Sequence, residues 1–126
     1  MSKKKILVVD DEVGLTKVVE IRLRAAGYDV VLAHDGQEGF ETAKTENPDL
    51  MILDLMLPKM DGFKVCGLLK SDARYKKIPI IIYTARVQDS DQQLGKEVGA
   101  DAYITKPFDP QVLLGKVKEL LAEQAP

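Results

Sequence analysis

Four short apolar runs each stop at a residue that can take part in group transfer. Ile6-Leu7-Val8-Val9 ends in Asp10-Asp11-Glu12, and Leu50-Met51-Ile52-Leu53 ends in Asp54. Ile80-Ile81-Ile82-Tyr83 ends in Thr84, and Ala102-Tyr103-Ile104 ends in Thr105-Lys106-Pro107. A carboxylate at the end of an apolar run is costly unless compensated. If the first and third runs lie side by side, Asp10, Asp11 and Asp54 converge, and three carboxylates at short range repel one another. Lys106 supplies one positive charge. A Mg²⁺ ion, which prefers oxygen ligands and keeps several waters, supplies two. Three negative and three positive charges then balance. A positioned carboxylate beside a divalent cation, an ammonium and the Thr84 hydroxyl has what phosphoryl transfer needs: a nucleophile, and groups that neutralise charge on the phosphoryl oxygens. The expected product is an aspartyl phosphate on Asp54.

The elements that must position these groups are legible in the hydrophobic pattern. The four runs and a fifth, Val30-Val31-Leu32, are rich in β-branched residues and mostly lack polar alternation. Such runs suit strands buried on both faces of a parallel sheet. Between them, Leu15, Val18, Val19, Leu23 and Ala26 form one helical stripe closed by Gly27. Asp35 and Glu38 have capping-box spacing ahead of Phe40 and Ala43. Asp61-Gly62 opens a third helix with Phe63, Cys66 and Leu69 inward; a short polar helix spans about Asp89 to Val98; Asp109-Pro110 starts a fifth, with Leu113, Val117, Leu120 and Leu121 inward. Strand and helix alternate five times, so the expected fold is α/β, a doubly wound three-layer (βα)5 sandwich with right-handed crossovers, occupying residues 1–126 as a single domain. Ligands of such sheets bind beyond the carboxyl ends of the strands, where strand order reverses.

Composition narrows the partners. With 18 Lys+Arg against 20 Asp+Glu the net charge is −2, without the basic excess that marks direct nucleic-acid binding. Cys66 is the sole cysteine, which excludes an internal disulfide and a thiolate metal cage. Lys3-Lys4-Lys5 precedes only four apolar residues before two aspartates, too few for a signal peptide or a membrane span. A cytoplasmic setting is expected.

From about Lys5 to Leu121 the chain resembles the receiver domain of bacterial response regulators. The resemblance rests on Val9-Asp10-Asp11-Glu12, Leu53-Asp54-Leu55-Met56-Leu57-Pro58, Met60-Asp61-Gly62, Tyr83-Thr84-Ala85 and Gly99-Ala100-Asp101-Ala102-Tyr103-Ile104-Thr105-Lys106-Pro107-Phe108, in order and at the family's spacing. It implies a flavodoxin-like strand order 2-1-3-4-5, with Asp54 as phosphoacceptor in a two-component system. It implies Mg²⁺ (or Mn²⁺) held by Asp54, the acidic pair Asp10 and Asp11, and the Met56 carbonyl, with Asp11 the more direct ligand. Lys106 would pair with the phosphoryl group, beside a cis Lys106-Pro107 bond. Thr84 and Tyr103 would form a switch pair that reshapes the face of the fourth helix, fifth strand and fifth helix toward a downstream partner or output domain. The implied donor is the phosphohistidine of a sensor histidine kinase or phosphotransfer protein, docking on the first helix and the loop at Pro107-Phe108. Such a domain is no enzyme in the usual sense, catalysing only its own phosphorylation and dephosphorylation.

Departures from the family pattern carry information too. Ala102, Val112 and Lys116 stand where winged-helix transcription factors of the family carry a charged dimerisation set, so a monomer or a weak phosphorylation-dependent dimer is expected. Met56 and Arg86 occupy positions that tune phosphoryl lifetime, and an apolar Met56, with no group to orient water, points to slow hydrolysis. Two other functions fit less well. A phosphatase of the haloacid dehalogenase type wants an aspartate where Met56 stands, and a flavodoxin-like FMN carrier wants a Ser/Thr/Gly-rich loop where Asp10-Asp11-Glu12 would repel phosphate. Asp61 reads as a helix cap, Cys66 as core packing, and His34 as a surface-loop residue away from the acid cluster. The tail from Ala122 to Pro126 fits a stand-alone regulator and a receiver joined to a further domain equally.

Overall fold

The structure, a computed structural model, describes residues 3–85, 89–107 and 109–123, with backbone alone at 89–92 and 123. Arg86 and Phe108 lie outside the described residues. Five strands, β1 (Lys5–Val9), β2 (Asp29–Ala33), β3 (Leu50–Leu53), β4 (Ile80–Thr84) and β5 (Ala102–Thr105), alternate with α1 (Val13–Ala25), α2 (Gly36–Glu46), α3 (Gly62–Lys70), α4 (Asp89–Glu97) and α5 (Pro110–Glu123). The strands form one parallel sheet in the order β2-β1-β3-β4-β5. The doubly wound α/β fold and its 2-1-3-4-5 order are as expected.

The continuous apolar runs have a simple cause. Alternate residues of each strand feed two cores, one on each face of the sheet. Ile6, Val8, Leu50, Ile52, Ile81 and Tyr83 pack with Val19 and Leu23 of α1 and Leu113 and Val117 of α5. Leu7, Val9, Met51, Leu53, Ile80 and Ile82 pack with Ala43 of α2 and Val65, Cys66 and Leu69 of α3. With both faces covered there is no polar face to interrupt the pattern.

Local signals hold where a cap or a left-handed residue fixes them. The Asp35 carboxylate accepts from the Glu38 amide at 2.7 Å, and Asp61 from the Lys64 amide at 3.0 Å. Asp109 accepts from the Gln111 amide at 2.8 Å. Gly27 and Gly99 end α1 and α4 at φ +98° and +95°, conformations that favour glycine. Two residues of the α1 stripe depart: Val18 is 51 % exposed, because the buried face runs through Thr16, Val19 and Leu23, and Ala26 is exposed at the C-cap, past the last turn of the helix. No helix among the described residues is long and apolar enough to cross a membrane.

Candidate functional site

Strand register carries four chemistry-bearing residues to one place. Val9 pairs with Leu53, and Leu53 with Ile82, so Asp10, Asp54 and Tyr83 sit at one level across β1, β3 and β4. Thr84 pairs with Thr105, and the Lys106 amide donates to the Thr84 carbonyl at 2.7 Å. Continuing each strand's alternation one residue past its end puts Asp10, Asp54 and Lys106 on the face that Val8, Ile52, Tyr83 and Ile104 already occupy. Thr84 takes the opposite parity, shared with Tyr103.

Lys106 is the hub. Its Nζ donates to Asp10 Oδ2 at 2.8 Å, Asp54 Oδ2 at 3.0 Å and Glu12 Oε1 at 3.1 Å. Asp10, Glu12 and Asp54 each place a carboxylate oxygen within 4.8 Å of the others'. Asp10 and Asp54 are buried while Glu12 faces solvent. Three carboxylates around one ammonium leave two negative charges. A cleft of about 310 Å³ opens onto the cluster, lined by Asp11, Glu12, Asp54, Met56, Thr84, Ala85 and Lys106. An all-oxygen donor set with a surplus of two negative charges fits a hard divalent cation.

Burial shapes the ionisation. Removal from water pushes the Asp54 carboxyl above the ordinary carboxylate range, and the Lys106 hydrogen bond and charge and the Met56 amide, at 3.2 Å, offset only part of it. For Lys106 burial acts the other way, but hydrogen bonds to Asp10 and Asp54 outweigh it and hold the ammonium above its ordinary pKa. The two shifts have different causes: desolvation dominates at Asp54, and at Lys106 the hydrogen bonds to Asp10 and Asp54 together outweigh it.

Of the residues singled out from sequence, Asp10, Asp54 and Lys106 meet directly, and Asp11, Met56 and Thr84 line the same cleft. Asp11 and the Met56 side chain are exposed, and Thr84 is fully buried. Tyr103 is half-buried against the edge of the α2/α3 core, where a methyl group added at Gly95 of α4 would lie 3.3 Å from its ring. Lys106-Pro107 is cis.

Three residues belong to the site that the sequence reading left unassigned. Glu12, adjacent to two nominated acids, caps α1 by position only: its side chain makes no cap bond and turns to Lys106 instead. Tyr83 donates its hydroxyl to Asp10 Oδ2 at 2.7 Å while the Lys106 ammonium lies 4.6 Å from its ring centre. Gly62 backs onto the Asp54 carbonyl so closely that a Cβ would collide with it. His34 corrects an expectation: it is half-buried, with Nδ1 3.2 Å from the Asp10 carbonyl, because Val9 pairs with Ala33 and the chains leaving β1 and β2 run together. Asp61 is a cap, and Cys66 is buried with its thiol pushed up to about 11 by desolvation, which keeps it unreactive.

A parallel α/β sheet with a carboxylate–lysine cluster past its carboxyl edge places the site where ligands of such sheets bind. The sequence matches the response regulator receiver domain family over residues 6–118, and the chain belongs to that family. It is 47% identical over 118 residues to the alkaline phosphatase synthesis transcriptional regulatory protein PhoP of Bacillus subtilis, covering 94% of this chain and 48% of PhoP. It is likewise 47% identical over 117 residues to the DNA-binding dual master transcriptional regulator RpaA of Synechocystis, covering 93% of this chain and 48% of RpaA. The chain thus spans about half the length of these curated relatives. Among solved structures, the CheY-like response regulator receiver domain protein of Methanospirillum hungatei superposes with a TM-score of 0.92 at 32% identity, covering 98% of this chain and 97% of that one. The chain is a response regulator receiver of two-component systems, and its acidic pocket of Asp10, Glu12 and Asp54 fits a phosphoacceptor site.

Proposed function

We propose that the chain acts as one receiver domain, in the cytoplasm, that takes a phosphoryl group onto Asp54 from the phosphohistidine of a sensor kinase or phosphotransfer protein. The observation that carries this reading is the buried Asp54 carboxylate, hydrogen-bonded at 3.0 Å to Lys106 and facing an open cleft. An Asp54 carboxylate oxygen attacks phosphorus and forms an O–P bond. The P–N bond of the donor breaks, and its electron pair returns to the imidazole nitrogen. Lys106 and the Thr84 hydroxyl hold the phosphoryl oxygens. Asp10, Asp11, Asp54 and the Met56 carbonyl, with Glu12 in reach, would hold Mg²⁺ (or Mn²⁺), which would supply charge neutralisation when bound. The chain catalyses only this transfer and the hydrolysis of the aspartyl phosphate, in which water attacks phosphorus, the O–P bond to Asp54 breaks and inorganic phosphate leaves.

The donor docks on an apolar cleft of about 400 Å³ beside the site, lined by Glu12, Leu15, Val18, Ala85, Lys106, Pro107 and Pro110. The exposure of Val18 and of Ile21, at 51 % and 58 %, supports this use of α1. Thr84 and Tyr103, on one face of β4 and β5, are the switch pair. Their shift alters the α4-β5-α5 surface, which contacts a downstream protein or an output domain; direct nucleic-acid binding is left to that partner. The chain is a monomer, or a weak dimer once phosphorylated. The test is incubation with acetyl phosphate and Mg²⁺. The wild type is expected to gain one phosphoryl group that hydroxylamine removes, and Asp54→Asn to gain none. Equal labelling of the variant would overturn the assignment.

A further inference from the structure

Tyr83 is a phenol in a strand position where burial alone would be served by any apolar side chain. It is fully buried, yet both its ends are engaged with the reactive cluster. The hydroxyl donates to Asp10 Oδ2 at 2.7 Å, and the Lys106 ammonium donates to that same oxygen at 2.8 Å. The ring face lies 4.6 Å from the ammonium, within cation–π range. The other Asp10 oxygen, Oδ1, accepts from the Glu12 amide at 2.9 Å. Asp10 itself is fully buried.

We infer that Tyr83 is a positioning residue for phosphoryl capture: its hydroxyl keeps Asp10 Oδ2 hydrogen-bonded when Lys106 turns to the phosphoryl group, and its ring guides the ammonium in that move. The inference rests on the reading of Asp54 as phosphoacceptor. A buried carboxylate oxygen that loses its donor incurs the full desolvation penalty. With the phenol in place, Lys106 gives up one of two donors on Oδ2. With phenylalanine there, its departure leaves Oδ2 without a hydrogen-bond donor among the described residues, so even with a divalent cation in place the lysine is held back on Asp10 and reaches the incoming group less readily. The Tyr83 hydroxyl thus lowers the cost of a lysine movement made only when the phosphoryl group arrives.

Tyr83→Phe keeps the ring and removes the hydroxyl. Three measurements on wild type and variant test the inference: the thermal midpoint of the metal-free protein, the Mg²⁺ dissociation constant by calorimetry, and the dissociation constant for beryllofluoride, a phosphoryl mimic, at saturating Mg²⁺. The midpoint is expected to stay within a few degrees and Mg²⁺ affinity within about threefold, while beryllofluoride affinity falls by about tenfold, the scale of one buried acceptor left unpaired. Unchanged beryllofluoride affinity would overturn the role. So would a loss of Mg²⁺ affinity as large as the loss for beryllofluoride, because the tyrosine would then only shape the metal site. A wild type that does not bind beryllofluoride at all would instead remove the phosphoacceptor reading on which the inference stands.

Discussion

Asp54, the proposed phosphoacceptor, is 4 % exposed, and burying its carboxylate costs stability. Its carboxyl pKa is raised in the folded chain, chiefly by desolvation. A raised acid pKa means that the charged form opposes folding above that pKa, and the opposition is relieved as pH falls through it. Asp54→Asn is therefore expected to melt a few degrees higher than wild type at neutral pH in metal-free buffer. The gap should narrow as the buffer is acidified toward the folded Asp54 pKa, and scanning calorimetry across pH would read it. Lys106 has the opposite balance. Its raised pKa means that its stabilising contribution is complete at neutral pH and is lost only as pH rises through the folded value. Lys106→Met leaves two buried carboxylates without their shared cation. It should lose about 3 kcal/mol in urea unfolding, the scale for breaking a buried ion pair, and added Mg²⁺ should recover part of the loss.

Backbone geometry constrains the elements as firmly as charge constrains the site. Gly62 opens α3 against the Asp54 carbonyl, and its amide donates to the Leu55 carbonyl at 3.0 Å. Gly62→Ala must push that backbone aside, so a loss of about 2 kcal/mol, the scale of core overpacking, is expected together with slower acetyl phosphate labelling. Gly115 lies inside α5 with nothing within 4 Å of an added Cβ. Gly115→Ala should instead gain about 0.5 kcal/mol from helix propensity and leave labelling unchanged, which makes it the matched control. The elements were largely legible in the sequence because their signals are local. Strands buried on both faces leave unbroken apolar runs, and Asp35, Asp61 and Asp109 announce helix starts. Asp10, Asp54 and Lys106 were legible because each ends such a run. Glu12 was not, since an acid before a helix looks like a cap until its side chain is seen on Lys106. Tyr83 reads as one more strand aromatic. Its role depends on β1, β3 and β4 lying side by side, which no local pattern encodes. Val18 belongs to an apolar stripe, and only the packing of α1 on the sheet decides that it faces out.

At the scale of the whole molecule, the sheet gathers a surplus of two negative charges at one edge and leaves a cleft over it. A divalent cation that binds the folded state alone stabilises it by mass action. Mg²⁺ is therefore expected to raise the thermal midpoint of the wild type, and to do so less in Asp11→Ala and in Glu12→Gln. The two variants rank an exposed acid of the cleft against the third member of the carboxylate cluster. A Mg²⁺ response untouched by both would move the cation away from the Lys106 cluster. The placement of the phosphoryl group can be read directly. Protein treated with acetyl phosphate and Mg²⁺ is reduced with borohydride, which converts an aspartyl phosphate to homoserine, and tandem mass spectrometry of the digest locates the change. Homoserine at position 54 is the expected result; homoserine at another aspartate, or none in a protein that carries the phosphoryl mass, would contradict Asp54 as the acceptor.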